Sequence, residues 1–289
     1  MKSIKLISTV VLITCSFSTY SQQAWTQEKG KGYFQVGSSY LNYAQLHLGN
    51  FEIFKLPRPV TEIILSSYNE FGITNKLTGI VNVPFHFSSV GDFDTTFASY
   101  LKFDQGRLSA LGNVSTALLY NLYTKNGNVL STKLNANFNT SSRQENTGLS
   151  SGYDAFILEA SFLVGRGTKN YFASGEISTV ISPANFLSRI QINAQIGKKI
   201  LKSKQLILVF AIATNTYLSD VSKVNVSVVQ VNDYTGLYHP KQAYYAINLK
   251  VGYEFTTSWS MWGSLAGGEA TNIGAGINYA LAVGYKLKN

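Results

Sequence analysis

The chain has 289 residues and a formal charge of +9, yet only 13% of its residues are charged, about half the roughly 25% usual in soluble domains. Past the first residues there is no uncharged apolar run of about 20, which excludes a bilayer-spanning helix. Nor is there a basic, aromatic-interleaved patch of the kind that binds nucleic acid, so the charge is read as a solvated rim near anionic lipid groups. With 18 Tyr, 17 Phe and 24 Gly against 5 Pro, the composition favours strands.

Residues 1–21 read as a signal peptide. Lys2 and Lys5 supply the positive start, Leu6 to Cys15 the apolar core, and Thr19-Tyr20-Ser21 the small-residue cleavage site. A membrane anchor is disfavoured by the short apolar core. A lipoprotein box at Leu12 to Cys15 is disfavoured by Thr14 beside the cysteine. Cys15 is the single cysteine, so residues 22–289 carry no disulfide and must be stabilised by closure of a sheet.

Twelve alternating segments follow, at about 32–43, 61–73, 77–87, 113–124, 129–141, 153–165, 171–182, 186–197, 205–218, 243–255, 258–267 and 274–287. The fifth is the cleanest. Leu130, Thr132, Leu134, Ala136 and Phe138 fall on one face, and Ser131, Lys133, Asn135, Asn137 and Asn139 on the other, because a strand turns successive side chains to opposite sides. Most segments have the length a tilted strand needs to cross a bilayer. The connectors also alternate. Residues 74–76, 125–128, 166–170, 198–204 and 256–258 are short, whereas the other set, 44–60, 88–112, 142–152, 183–185, 219–242 and about 268–273, is mostly long and variable in length. Short turns at one end and long loops at the other are the plan of an outer-membrane barrel. The fold expected is all-β, a twelve-stranded antiparallel transmembrane β-barrel of outer-membrane type over 22–289. Its oily faces meet lipid, and both termini lie in the periplasm. A secreted soluble β-protein that binds a ligand is the alternative, with the oily faces turned inward.

Some short motifs carry a family resemblance. Ser66 to Phe85 contains Glu70-Phe71-Gly72-Ile73-Thr74-Asn75, then Leu77-Thr78. This hairpin resembles that of outer-membrane proteins of the phenol meta-cleavage-pathway porin-like and XagA-like family. Ala24 to Leu41, Leu111-Gly112-Asn113 (with Asn in place of the family's Asp) and Thr147 to Phe156 add to the likeness. The Tyr20-Ser21-Gln22 signal ending resembles those of Bacteroidota. The resemblance implies a twelve-stranded barrel and leaves its cargo open.

Charged and amide residues in the strands take the lumen phase: Glu62, Glu70, Lys133, Asn135, Asn137, Glu159, Glu176, Arg189, Gln191, Asn193, Asn248, Lys250, Glu254 and Lys286. A Lys or Arg facing lipid at mid-depth would cost roughly 2–4 kcal/mol. They are read as a polar pore lining or as an ion-pair network filling a narrow barrel; their mixed signs argue against a strong charge filter. Glu70 is read as structural. Trp25, Tyr33, Tyr68, Tyr123, Tyr153, Tyr171, Trp259 and Tyr285 are read as an interfacial girdle. His47, His86 and His239 show no metal spacing. His86 and Ser88 share a face without a nucleophile motif, and no glycine loop cradles phosphate. The sequence therefore points to no enzyme, metal or cofactor. The expected function is a passive channel or uptake route for small solutes, including hydrophobic or aromatic ones. A surface structural or adhesion protein with a closed lumen is the alternative, and the 219–242 loop a candidate gate. The partners expected are outer-membrane lipids, a small solute and the barrel-assembly machinery reading the C-terminal strand, with the protein a monomer.

Overall fold

The computed structural model describes residues 24–95, 103–183, 188–200, 205–218, 235–239 and 241–288. The proposed signal peptide lies outside them, as does most of the 219–242 loop.

The described elements are strands: β1 (Gly32–Gly49), β2 (Glu52–Gly72), β3 (Leu77–Val90), β4 (Gly106–Leu111), β5 (Ser115–Lys125), β6 (Asn128–Asn137), β7 (Arg143–Gln144), β8 (Leu149–Ser150), β9 (Ile157–Gly167), β10 (Tyr171–Ile181), β11 (Arg189–Ile200), β12 (Leu206–Tyr217), β13 (Ala243–Glu254), β14 (Trp259–Gly274) and β15 (Asn278–Leu287). Antiparallel neighbours run from β1 through β15, and β15 returns to β1 from Gly32↔Leu287 to Leu41↔Asn278. The sheet is therefore a closed barrel. Its wall has twelve strands, since β4 and β5 are two pieces of one strand laid along β3, and β7 and β8 form a separate two-residue pair.

The break between β4 and β5 has a local cause. Gly112 N donates to the Pro84 carbonyl at 2.9 Å. In an antiparallel ladder a residue's N–H and C=O face the same neighbour. The donor that proline lacks is therefore missing on this side, and the ladder skips from Phe85↔Leu111 to Asn82↔Ser115. The short turns obey their residues too. Asn126 and Gly127 hold φ of 52° and 80°, as a two-residue hairpin turn requires.

The oily faces point outward. Leu134 is 57% exposed, Ile192 46% and Leu249 54%, while Lys133 between Thr132 and Leu134 is 8% exposed. This is the reverse of a soluble sandwich, because the polar faces converge on the barrel axis.

Several expected boundaries are corrected. Residues 44–60 are no loose link: β1 and β2 stay paired up to Gly49↔Glu52 and turn through Gly49, Asn50 and Phe51, all at positive φ. β3 runs on to Val90 and β4 follows inside the expected 88–112 connector. β6 ends at Asn137, and the wall resumes only at Ile157. Between them residues 147–152 are buried, and Asn113 Nδ2 donates to the Phe138 and Tyr153 carbonyls, both at 2.8 Å, tying both limbs of the loop to the wall.

Candidate functional site: a lumen with a segment seated at each end

The barrel has a terminal end, carrying the start of β1, the end of β15 and the short turns, and a loop end. Each is filled by a segment outside the wall.

At the terminal end the stretch before β1 lies inside. The Ser131 hydroxyl donates to the Ala24 carbonyl. Gln27 N donates to Thr78 Oγ1 at 2.8 Å, and Gln27 Nε2 to Glu70 Oε2 at 2.6 Å. Trp25 packs with Tyr33, Tyr68, Leu119, Val129 and Leu163. It lies so close to Gly165 that a Cβ there would come within 2.7 Å of the indole. Phe172, Ile207, Val209 and Trp262 form a second apolar patch. Trp25, Tyr33 and Tyr68 are thus lumen residues, which corrects their girdle assignment. Tyr123, Tyr171 and Trp259 remain outside, 52%, 55% and 47% exposed, with Trp259 and Tyr285 rings 4.8 Å apart.

At the loop end, residues 235–239, 241 and 242 fold inward. The Tyr43 hydroxyl donates to the Thr235 carbonyl. Thr235 Oγ1 donates to Gly148 O at 2.6 Å, and Gln242 Nε2 donates to Gly236 O at 3.0 Å and Asn272 O at 3.1 Å. Leu237 joins an apolar cap with Leu41, Leu46, Leu56, Val90 and Leu149. This part of the loop is a lid seated in the mouth.

Between plug and lid lies a cavity of about 310 Å³, at the small end of the roughly 300–1,000 Å³ usual for ligand pockets. Nine of the predicted lumen residues line it: Glu62, Lys133, Asn135, Asn137, Glu159, Glu176, Arg189, Gln191 and Asn193. The other five do not. Glu70 is buried below it, accepting from Tyr68 and Gln27. Asn248 is half-buried and Lys250 buried further down β13. Glu254 and Lys286 pair at the terminal rim, with Lys199 4.0 Å from Glu254.

Lys133 is the charged centre of the chamber. Its Nζ lies 2.6 Å from Glu176 and 4.0 Å from Glu159, and Asn135 Nδ2 donates to Glu159 at 3.3 Å. Nearer the lid, His86 Nδ1 meets Glu62 Oε1 at 2.9 Å, with Glu62 4% and His86 2% exposed. The Tyr238 hydroxyl lies 3.4 Å from His86 Nε2, and its ring meets Tyr153 edge-on at 5.3 Å. Tyr153, also misassigned to the girdle, accepts from Arg189 Nη1 at 3.2 Å and donates to Gln242 Oε1 at 2.9 Å. The wall, the inward 138–156 loop and the lid thus meet at one tyrosine.

Sequence reasoning missed Trp25, Gln27, Tyr153, Tyr238 and Gln242 as interior groups. Their periodicity could not reveal them, because they sit outside the strands. In the lid, burial, with Arg143 and Lys241 nearby, depresses His239 to about 4.

No protein-family model matches this chain, and no curated protein matches it in sequence. Solved structures do share its fold. The crystal structure of the COG4313 outer membrane channel from Pseudomonas putida F1 is 12% identical, covers 92% of this chain and 98% of its own, and superposes with a TM-score of 0.66. A NanC porin structure is 8% identical over 88% of this chain and 100% of its own, with a TM-score of 0.51. The fold is that of an outer-membrane β-barrel.

Proposed function

We propose that this protein is an outer-membrane barrel serving as a gated, passive uptake route for small solutes, with both termini in the periplasm. The observation that carries the reading is the polar chamber between the two inserted segments. It is bounded at its ends by two inserted segments and only at its sides by the wall. Those segments are held by side-chain hydrogen bonds and apolar packing, each bond contributing about 1 kcal/mol, so either end can open while the ladder stays intact. The fold shared with the COG4313 outer membrane channel supports the reading. So does the hairpin resemblance to the phenol meta-cleavage-pathway porin-like and XagA-like family, of which we take the chain to be a member.

The test is conductance in planar bilayers by the chain starting at Gln22. Brief, small openings are expected, becoming longer and larger in a variant starting at Gly30. Silence from both variants, each folded by heat-modifiable gel mobility, overturns the reading. A surface structural protein with a permanently closed lumen is the second reading, favoured by the apolar cap that fixes the lid onto the long β1–β2 hairpin. It would show that silence together with loss of cell attachment on deletion.

A further inference from the structure

Arg189 faces the chamber from the first position of β11 and is 6% exposed. A guanidinium taken this far out of water is normally met by a carboxylate, since an uncompensated buried charge is strongly unfavourable. Among the described residues, no carboxylate oxygen lies within the 4.0 Å of an ion pair. Arg189 instead spends one N–H on Tyr153 and stacks over that ring at 5.1 Å. Its Nε, buried, has no hydrogen-bond partner among the described residues, and neither does the buried hydroxyl of Tyr217, the Cα partner of Arg189 on β12.

The other charges facing the chamber are committed elsewhere. Glu62 is engaged by His86, and Glu159 and Glu176 by Lys133. Glu159 sits two strands from Arg189 on the same cross-strand row, through Val180. It shapes the field without closing the pair. What the guanidinium lacks is a planar oxyanion, which its fork accepts through two parallel N–H bonds.

We propose that Arg189 anchors a subsite for a small carboxylate solute. The carboxylate takes the free Nε–H and an adjacent Nη–H, the Tyr217 hydroxyl donates to it, and the rest of the molecule occupies the chamber beside Tyr153. This inference rests on the uptake reading, and its test separates the two.

Proteoliposomes holding the chain from Gln22 are loaded with butyrate or with its uncharged isostere butyramide. Butyrate flux is expected to saturate and butyramide flux to stay linear. In Arg189→Gln the butyrate half-saturation concentration rises at least about tenfold, judged against the same variant's own butyramide flux, and Arg189→Lys falls between. Equal, linear fluxes for both solutes in the parent chain and in Arg189→Gln overturn the subsite while leaving the uptake route standing. If neither solute crosses, even through the variant starting at Gly30, the uptake reading fails. Calorimetric titration of butyrate into detergent-folded protein then decides the subsite alone: binding by the parent and not by Arg189→Gln supports it, and no binding by the parent overturns it. Should Arg189→Gln fail to fold, Tyr217→Phe serves in its place. It removes one donor and no charge, and a several-fold loss of butyrate affinity is expected.

Discussion

Gln27 Nε2 donates to Glu70 Oε2 across 2.6 Å, so a residue ahead of the first strand is tied to a carboxylate on the inner face of the second. Glu70 is also bound by the Tyr68 hydroxyl, which fixes it as the receptor for the plug. Glu70→Ala leaves the Gln27 amide unpaired at a part-buried position, costing about 1–3 kcal/mol of plug docking. The expected result is more frequent channel opening, read by bilayer recording.

Gly72 tests the same seat by shape. A Cβ there would stand 2.1 Å from the Glu28 carbonyl oxygen, a distance no neighbour tolerates. Gly72→Val therefore expels the segment without touching its hydrogen-bonding groups. Protease access to the 24–31 stretch in folded protein should rise in Gly72→Val and stay low in the parent chain.

Lys133 holds Glu176 and Glu159 inside the barrel. Lys133→Met strands two carboxylates, and breaking a buried pair from one side costs about 3–5 kcal/mol. Removing both partners, in Lys133→Met with Glu176→Leu, should recover part of that loss. Urea midpoints of the folded barrels in lipid bilayers measure both, and equal midpoints for the single and double variants would contradict the pairing.

His239 gives the lid a pH dependence. Its value in the closed lid is about 4 against the ordinary 6.5 of a histidine, so between those values the open, solvated lid binds more protons than the closed one. The closed lid is fully favoured above about pH 6.5 and loses up to about 3 kcal/mol as pH falls towards 4. Open probability should rise over that window, and the slope should flatten in His239→Gln.

The wall itself predicts a sided tolerance to charge. Leu134 faces outward and its neighbour Asn135 inward. Leu134→Arg is expected to cost about 2–4 kcal/mol in a lipid bilayer, and Asn135→Arg much less, since it enters a lumen already holding Glu159. Equal costs would reverse the assignment of faces.

Alternation in the sequence determined the strands and their two faces: the side on which Leu134 or Lys133 falls is set by each residue's own backbone, with a period of two, and needs no distant partner. The Asn126–Gly127 turn and the count of twelve crossings were legible for the same local reason. Only the tertiary structure decided what occupies the lumen. The bonds that close it join Ser131 to Ala24, 107 residues apart, and Tyr43 to Thr235, 192 apart, and contacts between segments so separated leave no period in the chain. Tyr153 shows the difference most plainly: near a segment end it has the composition of a girdle residue, and its bonds to Asn113 hold it on the chamber wall where loop and lid meet. Closure of the sheet created the interior, and the segments outside the sheet filled it.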